Sequence, residues 1–141
     1  MPFQVMYSSQ ATAPMSAASL GQILADARAG NQARDVTGAL VYVDDVFFQI
    51  LEGEEGVVRA LMASIAADSR HRSVTVFHEA EVDARAFESW SMAYLSPTAA
   101  EMAAWVGLPG AVTVGELQAQ VQRDPGRVPR LLVNVLDELS R

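Results

Sequence analysis

Val36-Thr37-Gly38-Ala39-Leu40-Val41-Tyr42-Val43-Asp44-Asp45-Val46-Phe47-Phe48-Gln49-Ile50-Leu51 contains two β-rich runs parted by a two-residue polar break. Residues 36–43 and 46–51 are rich in branched and aromatic side chains, and Asp44-Asp45 is short enough for a hairpin connection, so the two runs are predicted to pair antiparallel. Upstream, residues 3–8 alternate, with Phe3, Val5 and Tyr7 on one face and Gln4, Met6 and Ser8 on the other, the pattern of a half-buried strand. Between them Ser16 can cap a helix striped by Leu20, Ile23, Leu24 and Ala27, with Gly30 and Asn31 suited to its C-terminal end. Downstream of the hairpin the period turns helical from Glu54. Val57, Val58, Leu61 and Ile65 fall on one side, Glu54 and Glu55 complement the dipole in the first turn, and the helix ends near Asp68. Residues 74–79 and 87–95 supply two further strands, joined through a charged connection around Glu81 and Asp83.

The order is βαββαββ, and both helices on one face of one sheet make a two-layer α+β fold close to the ferredoxin-like arrangement. That leaves the other face bare, and C-terminal helices are expected to cover it. Ser96-Pro97 opens an Ala-rich helix through Trp105, residues 113–123 have helical character, and Val128, Leu131, Leu132, Val135, Leu136 and Leu139 form a strong amphipathic stripe. Gly107-Leu108-Pro109-Gly110 and Asp124-Pro125-Gly126 read as turns between these helices. Residues 1–95 are thus expected to form a core, and residues 96–141 a helical extension of the same domain.

Composition narrows the chemistry. The 141 residues suit one domain with a real core, and half of them are hydrophobic. Ten Lys+Arg against seventeen Asp+Glu give a net charge of -7, the wrong sign for binding a phosphate backbone, so no nucleic-acid partner is expected. There is no cysteine, which excludes disulfides, thiolate metal sites and covalent thiol adducts. Two histidines without a helical pair give no metal motif. The first residues lack a basic leader, and no stretch approaches the roughly 20 apolar residues of a membrane span, so a cytoplasmic protein with no membrane partner is expected.

Gln49 is the anomaly inside the hairpin. Its neighbours predict burial, and a buried amide left unpaired costs about 1–3 kcal/mol. Period two places it with Phe47 and Leu51, a polar spot on an apolar face, which is how ligand pockets are lined. An edge-strand Gln facing water is the plain alternative. Tyr7, a phenol near the end of the first strand, can donate or accept a hydrogen bond and can also give up one electron. Taken alone it reads as a core aromatic, Asn31 as a helix cap, Trp90 and Met92 as packing residues sharing one face of the last strand, and Arg70-His71 as partners for carbonyls at a helix end.

Together these residues form a pattern. Tyr7-Ser8-Ser9, Asn31, Val36-Thr37-Gly38-Ala39-Leu40, Phe47-Phe48-Gln49-Ile50-Leu51-Glu52-Gly53, Asp68-Ser69-Arg70-His71 and Trp90-Ser91-Met92 follow one another in an order and spacing that resembles the BLUF domain, a flavin-based sensor of blue light, over about residues 1–95. The missing cysteine agrees, since the other common flavin photosensor class needs a thiol. The resemblance implies a non-covalent flavin between the two helices, FAD by default, with FMN or riboflavin as alternatives.

It also implies roles. Tyr7 and Gln49 would face the flavin ring, Asn31 its pyrimidine side, Ile23, Leu24 and Phe47 its apolar faces, and Ser9, Arg70 and His71 would join the binding set, the last two near the ribityl and phosphate end. Light would drive electron and proton transfer from Tyr7 and a rearrangement of Gln49, giving a reversible red-shifted state relayed through Trp90 or Met92. Ala27, Gly30 and Gln32 depart from what many relatives carry. Residues 96–141 hold no recognisable effector, so a sensor rather than an enzyme is expected, its output a surface for a downstream protein or for a homodimer. The alternatives are an acylphosphatase-like hydrolase on the same scaffold, which lacks a phosphate cradle in Ser8-Ser9-Gln10-Ala11-Thr12-Ala13-Pro14, and a flavin-free ligand or oligomerisation module.

Overall fold

The Asp44-Asp45 break folds as a tight hairpin turn. Both aspartates have positive φ, 46° and 64°, the primed-turn geometry whose twist matches that of the flanking strands, and the Tyr42 hydroxyl donates to Asp45 Oδ1 at 2.5 Å. Strands β2 (Thr37–Val43) and β3 (Val46–Gly53) pair antiparallel from Val43↔Val46 to Thr37↔Glu52. Around them the computed structural model describes residues 1–108 and 113–139. The elements are β1 (Phe3–Ala11), α1 (Ala17–Arg34), the hairpin, α2 (Glu55–Ala67), β4 (His71–Glu81), β5 (Ala93–Leu95), α3 (Ala99–Trp105), α4 (Val114–Arg123), a 3-10 turn (Pro125–Arg127) and α5 (Val128–Leu139).

The sheet order is β4-β1-β3-β2-β5, antiparallel except for β5, which runs parallel to β2. This is the expected α+β, ferredoxin-like arrangement with a fifth strand at one edge. Alternation sends Phe3, Val5, Tyr7, Leu40, Phe47 and Leu51 to one face, where they pack with Ile23 and Leu24 of α1 and Val58 and Met62 of α2. Met6, Val41, Val43, Phe48 and Ile50 go to the other face, under Met102, Leu117, Val121, Leu132 and Leu136 of α3–α5. β1 is therefore buried on both faces, not half-buried as its alternation suggested.

Local signals explain most boundaries. Ser16 caps α1 by accepting from the Ser19 amide at 3.1 Å, and Glu54 caps α2 through the Gly56 and Val57 amides. Thr98 with Glu101 and Thr113 with Glu116 form capping boxes on α3 and α4. Gly107, at φ 79°, ends α3 with Leu108 N–H bonded to the Ala103 carbonyl at 2.9 Å. The predicted turn there extends to Pro109 and Gly110, which lie outside the described residues.

Two expectations are corrected. α1 does not end at Gly30-Asn31; it continues to Arg34 and is closed by Asp35 in the left-handed conformation, because the buried Asn31 faces the core and its carbonyl receives the Val36 amide at 2.9 Å. Residues 87–95 form strand only at Ala93–Leu95, the three positions that pair with β2. At Gly38 an added Cβ would overlap the Ile50 carbonyl oxygen across the hairpin. Gly38→Ala is expected to cost about 1–3 kcal/mol by forcing the strands apart, read as a lower urea midpoint; an unchanged midpoint would show that the strands separate without cost.

Candidate functional site

The β1–β3 register places Tyr7 directly opposite Gln49, and alternation turns both side chains toward α1 and α2. The Tyr7 hydroxyl donates to Gln49 Oε1. Gln49 Nε2 donates in turn to Met92 Sδ at 3.5 Å. The carboxamide, 7% exposed, is thus held from both ends by groups on two other chain segments. Among the described residues no buried side-chain polar atom lacks a partner. Burial, and secondarily the negative charge of Asp68, push the Tyr7 phenol well above its ordinary pKa, so its proton is firmly held in the ground state.

Tyr7, Leu40 and Gln49 line a cleft of about 700 Å3, open space at its mouth included, between Ile23, Asp26, Ala27 and Asn31 of α1 and Leu61, Ser64 and Ile65 of α2. Asp68, Arg70 and His71, which follow α2, complete it. Apolar side walls with a few convergent polar groups suit a planar heterocycle. A second, nearly filled cavity lies on the opposite face beneath α3–α5, with an almost wholly apolar lining that offers little to orient a polar ligand.

The mouth carries the charge. Arg70 donates to both oxygens of Asp68, at 2.6 Å for the shortest contact, and lies 3.5 Å from Asp26. The guanidinium holds the Asp68 carboxyl at about 2, the hydrogen bond outweighing partial burial. Arg70 therefore pairs with side-chain carboxylates rather than with the carbonyls of α2. His71 Nδ1 sits 2.8 Å from Ser9 Oγ, its ring centroid 4.9 Å from that of Phe47, and burial lowers its pKa against the opposing pull of Asp68. At neutral pH only Arg70 of the two is charged.

A histidine with a depressed folded pKa contributes stability that is complete above its unfolded value of 6.5 and is lost as pH falls below it, because the unfolded chain takes up the proton first. A decline in thermal stability beginning below 6.5 is expected in the parent protein and not in His71→Gln. Melting curves across that range check it, and a parallel decline in the variant would assign the effect elsewhere.

The remaining candidates take distinct positions. Asn31 is buried and its Nδ2 donates to the Ser91 carbonyl at 2.7 Å. Leu24 and Phe47 pack in the cluster beneath the cleft, and Ser9 is buried behind it. Trp90 and Met92 do not share one face of a strand: both precede β5, Met92 is buried against Gln49, and Trp90 is 38% exposed. Sequence reasoning missed Asp26 and the outer residues of α2, and treated Asp68 only as part of a motif. Its i, i+2 spacing to Arg70, just past a helix end, was the available signal.

Comparison with known proteins decides the family. The BLUF family model, described as sensors of blue light using FAD, matches residues 3–93. The chain belongs to the BLUF family. Relatives include the photoactivated adenylate cyclase alpha subunit of Euglena gracilis, 41% identical over 83 residues, covering 59% of this chain and 8% of that protein. The beta subunit of Euglena longa is 38% identical over 87 residues, covering 61% and 10%. The chain thus spans a tenth or less of these cyclases. Among solved structures, BlsA in its photo-activated state is 32% identical with a TM-score of 0.70, covering 74% of this chain and 76% of that one. Dark-state BlrB, at 24% identity, shares the fold with a TM-score of 0.77 over 95% and 96% of the two chains. BLUF domains are light sensors and not catalysts, which removes the hydrolase alternative. Among the described residues no helix is long and apolar enough to cross a membrane, and no cluster of His, Cys, Asp or Glu could hold a metal ion.

Proposed function

We propose that this BLUF chain is a blue-light photoreceptor that binds FAD non-covalently in the α1–α2 cleft and signals by rearranging the Gln49 carboxamide. The observation that carries the reading is the Tyr7–Gln49–Met92 chain of hydrogen bonds, which starts from two of the polar residues that line that cleft. Ile23, Leu40, Leu61 and Ile65 would pack the ring, Asn31 and Gln49 would meet its heteroatoms, and Arg70 would face the phosphates. For a phosphate to reach Arg70, the guanidinium must loosen from Asp68 or Asp26.

A bound flavin excited by blue light supplies a strong one-electron oxidant. Tyr7 then gives up an electron, and the phenolic proton, no longer held by a neutral phenol, passes to Gln49 Oε1. Rotation or tautomerisation of the carboxamide exchanges its donor and acceptor ends. Electron and proton return to Tyr7, so nothing is consumed, and a donor stands where an acceptor stood. The Met92 thioether accepts from the amide nitrogen but has no proton to give a rotated amide oxygen, so the segment bearing Met92 and Trp90 is where the change leaves the site. The output reaches a partner protein through the surface of α3–α5, which packs on the opposite face of the same strands.

The test is a light-minus-dark absorption spectrum of the purified protein reconstituted with FAD. A reversible red shift of the flavin bands is expected; a protein that stays colourless with added flavin, or a yellow one with no shift, would overturn the reading. Met92→Leu keeps the packing and removes the sulfur acceptor, so dark recovery is expected to change by about fivefold or more with flavin affinity little altered. Recovery unchanged in that variant would take Met92 out of the route.

A further inference from the structure

β5 is only three residues long and its parallel pairing with β2 runs from Ala39↔Ala93 to Val41↔Leu95. A ladder of three positions has few hydrogen bonds to fix its register, and a two-residue slip would leave every side chain on its own face. Just before it, three consecutive carbonyls each receive a separate donor: Trp90 from the Gly38 amide at 3.1 Å, Ser91 from Asn31 Nδ2 at 2.7 Å, and Met92 from Arg28 Nε at 3.1 Å. Arg28 lies on the exposed side of α1 and makes no ion pair within 4.0 Å among the described residues; its hydrogen bond crosses to a segment 64 positions away. In a chain rich in carboxylates, an arginine aimed at a backbone carbonyl instead of an acid is placed for that carbonyl.

A two-residue slip of this segment along β2 would carry Trp90 into the position that Met92 holds beside Gln49. Of the three donors, the Gly38 amide belongs to the sheet and Asn31 lines the cleft. Arg28 alone touches neither the cleft nor the strand ladder. We infer that Arg28 is a positioning residue that pins the Met92 carbonyl to α1 and so keeps the Met92 thioether, not the Trp90 indole, against Gln49. Its role is to choose which side chain Gln49 meets in the dark. The inference rests on the photoreceptor reading for its kinetic consequence but not for its geometric one.

The experiment uses the full chain carrying Trp105→Phe, so that Trp90 is the sole tryptophan, loaded with FAD, with Arg28 retained or changed to Gln or Lys. With Arg28 in place the Trp90 emission is that of a half-exposed indole and is readily quenched by acrylamide. In Arg28→Gln the emission is expected to shift to shorter wavelength and be quenched by the nearby flavin, while dark recovery changes by about fivefold or more. Arg28→Lys, which retains a cationic donor, is expected to restore both in large part. The same emission shift is expected in the flavin-free protein without the flavin quenching.

If Arg28→Gln lowers only the melting temperature, leaving Trp90 emission and recovery as in the parent, Arg28 is structural and the inference is overturned. If Lys fails where Gln fails equally, the cationic donor is not what acts, and the inference is again overturned. A parent protein without any light-induced shift would refute the photoreceptor reading; the flavin-free emission would still decide the role of Arg28.

Discussion

Tyr7→Phe is expected to abolish the light-induced absorption shift while the protein remains yellow. The substitution keeps the ring in a slot that is almost fully buried and removes only the hydroxyl. Gln49 Oε1 then loses its donor, at a cost of about 1–3 kcal/mol if no other donor reaches it. More important for function, the electron and proton source is gone: phenylalanine has no acidic proton to pass on and is far harder to oxidise. The difference spectrum of the FAD-loaded variant checks this. A parent-like shift in Tyr7→Phe would remove the phenol from the mechanism, whereas loss of both colour and shift would assign Tyr7 to binding alone.

The largest loss of stability is expected at Glu52. This carboxylate is fully buried and ties together four chain segments: it accepts from Gln4 Nε2 at 3.0 Å, Thr37 Oγ1 at 3.3 Å, and the Ala86 and Phe87 amides at 2.8 and 2.9 Å. The residue closes the end of β3 over β1 and β2 and anchors the connection that leads to Trp90. Glu52→Ala leaves two backbone amides and the Gln4 amide without their acceptor and opens a cavity. The combined loss is about 3–5 kcal/mol, from buried donors left unpaired at about 1–3 kcal/mol each and from the cavity.

Glu52→Gln keeps the shape and one acceptor oxygen but turns the other into a donor that meets donors, so it should fall between parent and Ala. Urea unfolding ranks the three. A Glu52→Ala protein within about 1 kcal/mol of the parent would mean that water or a rearranged 84–87 segment satisfies those amides.

The parts of this molecule legible in the sequence are those set by neighbours in the chain. The Asp44-Asp45 turn, the cap at Ser16, the acidic first turn at Glu54 and Glu55, and the alternation that sends Tyr7 and Gln49 to one face are all local signals, and the sheet and its two helical layers follow from them. The C-terminal stripe from Val128 to Leu136 announced a buried surface, and that surface is the second face of the sheet. What was not legible depends on distant partners. α1 outlasts Gly30-Asn31 because Asn31 has a task 60 residues away, and residues 87–92 stay out of the strand, meeting β2 at the Gly38 amide without forming a ladder. Glu52 looks like the polar end of a strand until Ala86 and Phe87 fold onto it. Arg28 reads as an ordinary exposed helix residue until its carbonyl partner is seen. Spacing alone could place Trp90 and Met92 as alternatives; only the fold puts Met92 inside and Trp90 at the surface.

The most direct test is the light-minus-dark infrared spectrum of the FAD-loaded protein with the side-chain carbonyl of glutamine labelled with carbon-13. If photon energy is stored as exchanged donor and acceptor ends of Gln49, an isotope-sensitive side-chain band appears in the difference spectrum and disappears in Gln49→Leu. Flavin bands that change with light while no glutamine band responds to the label would contradict it.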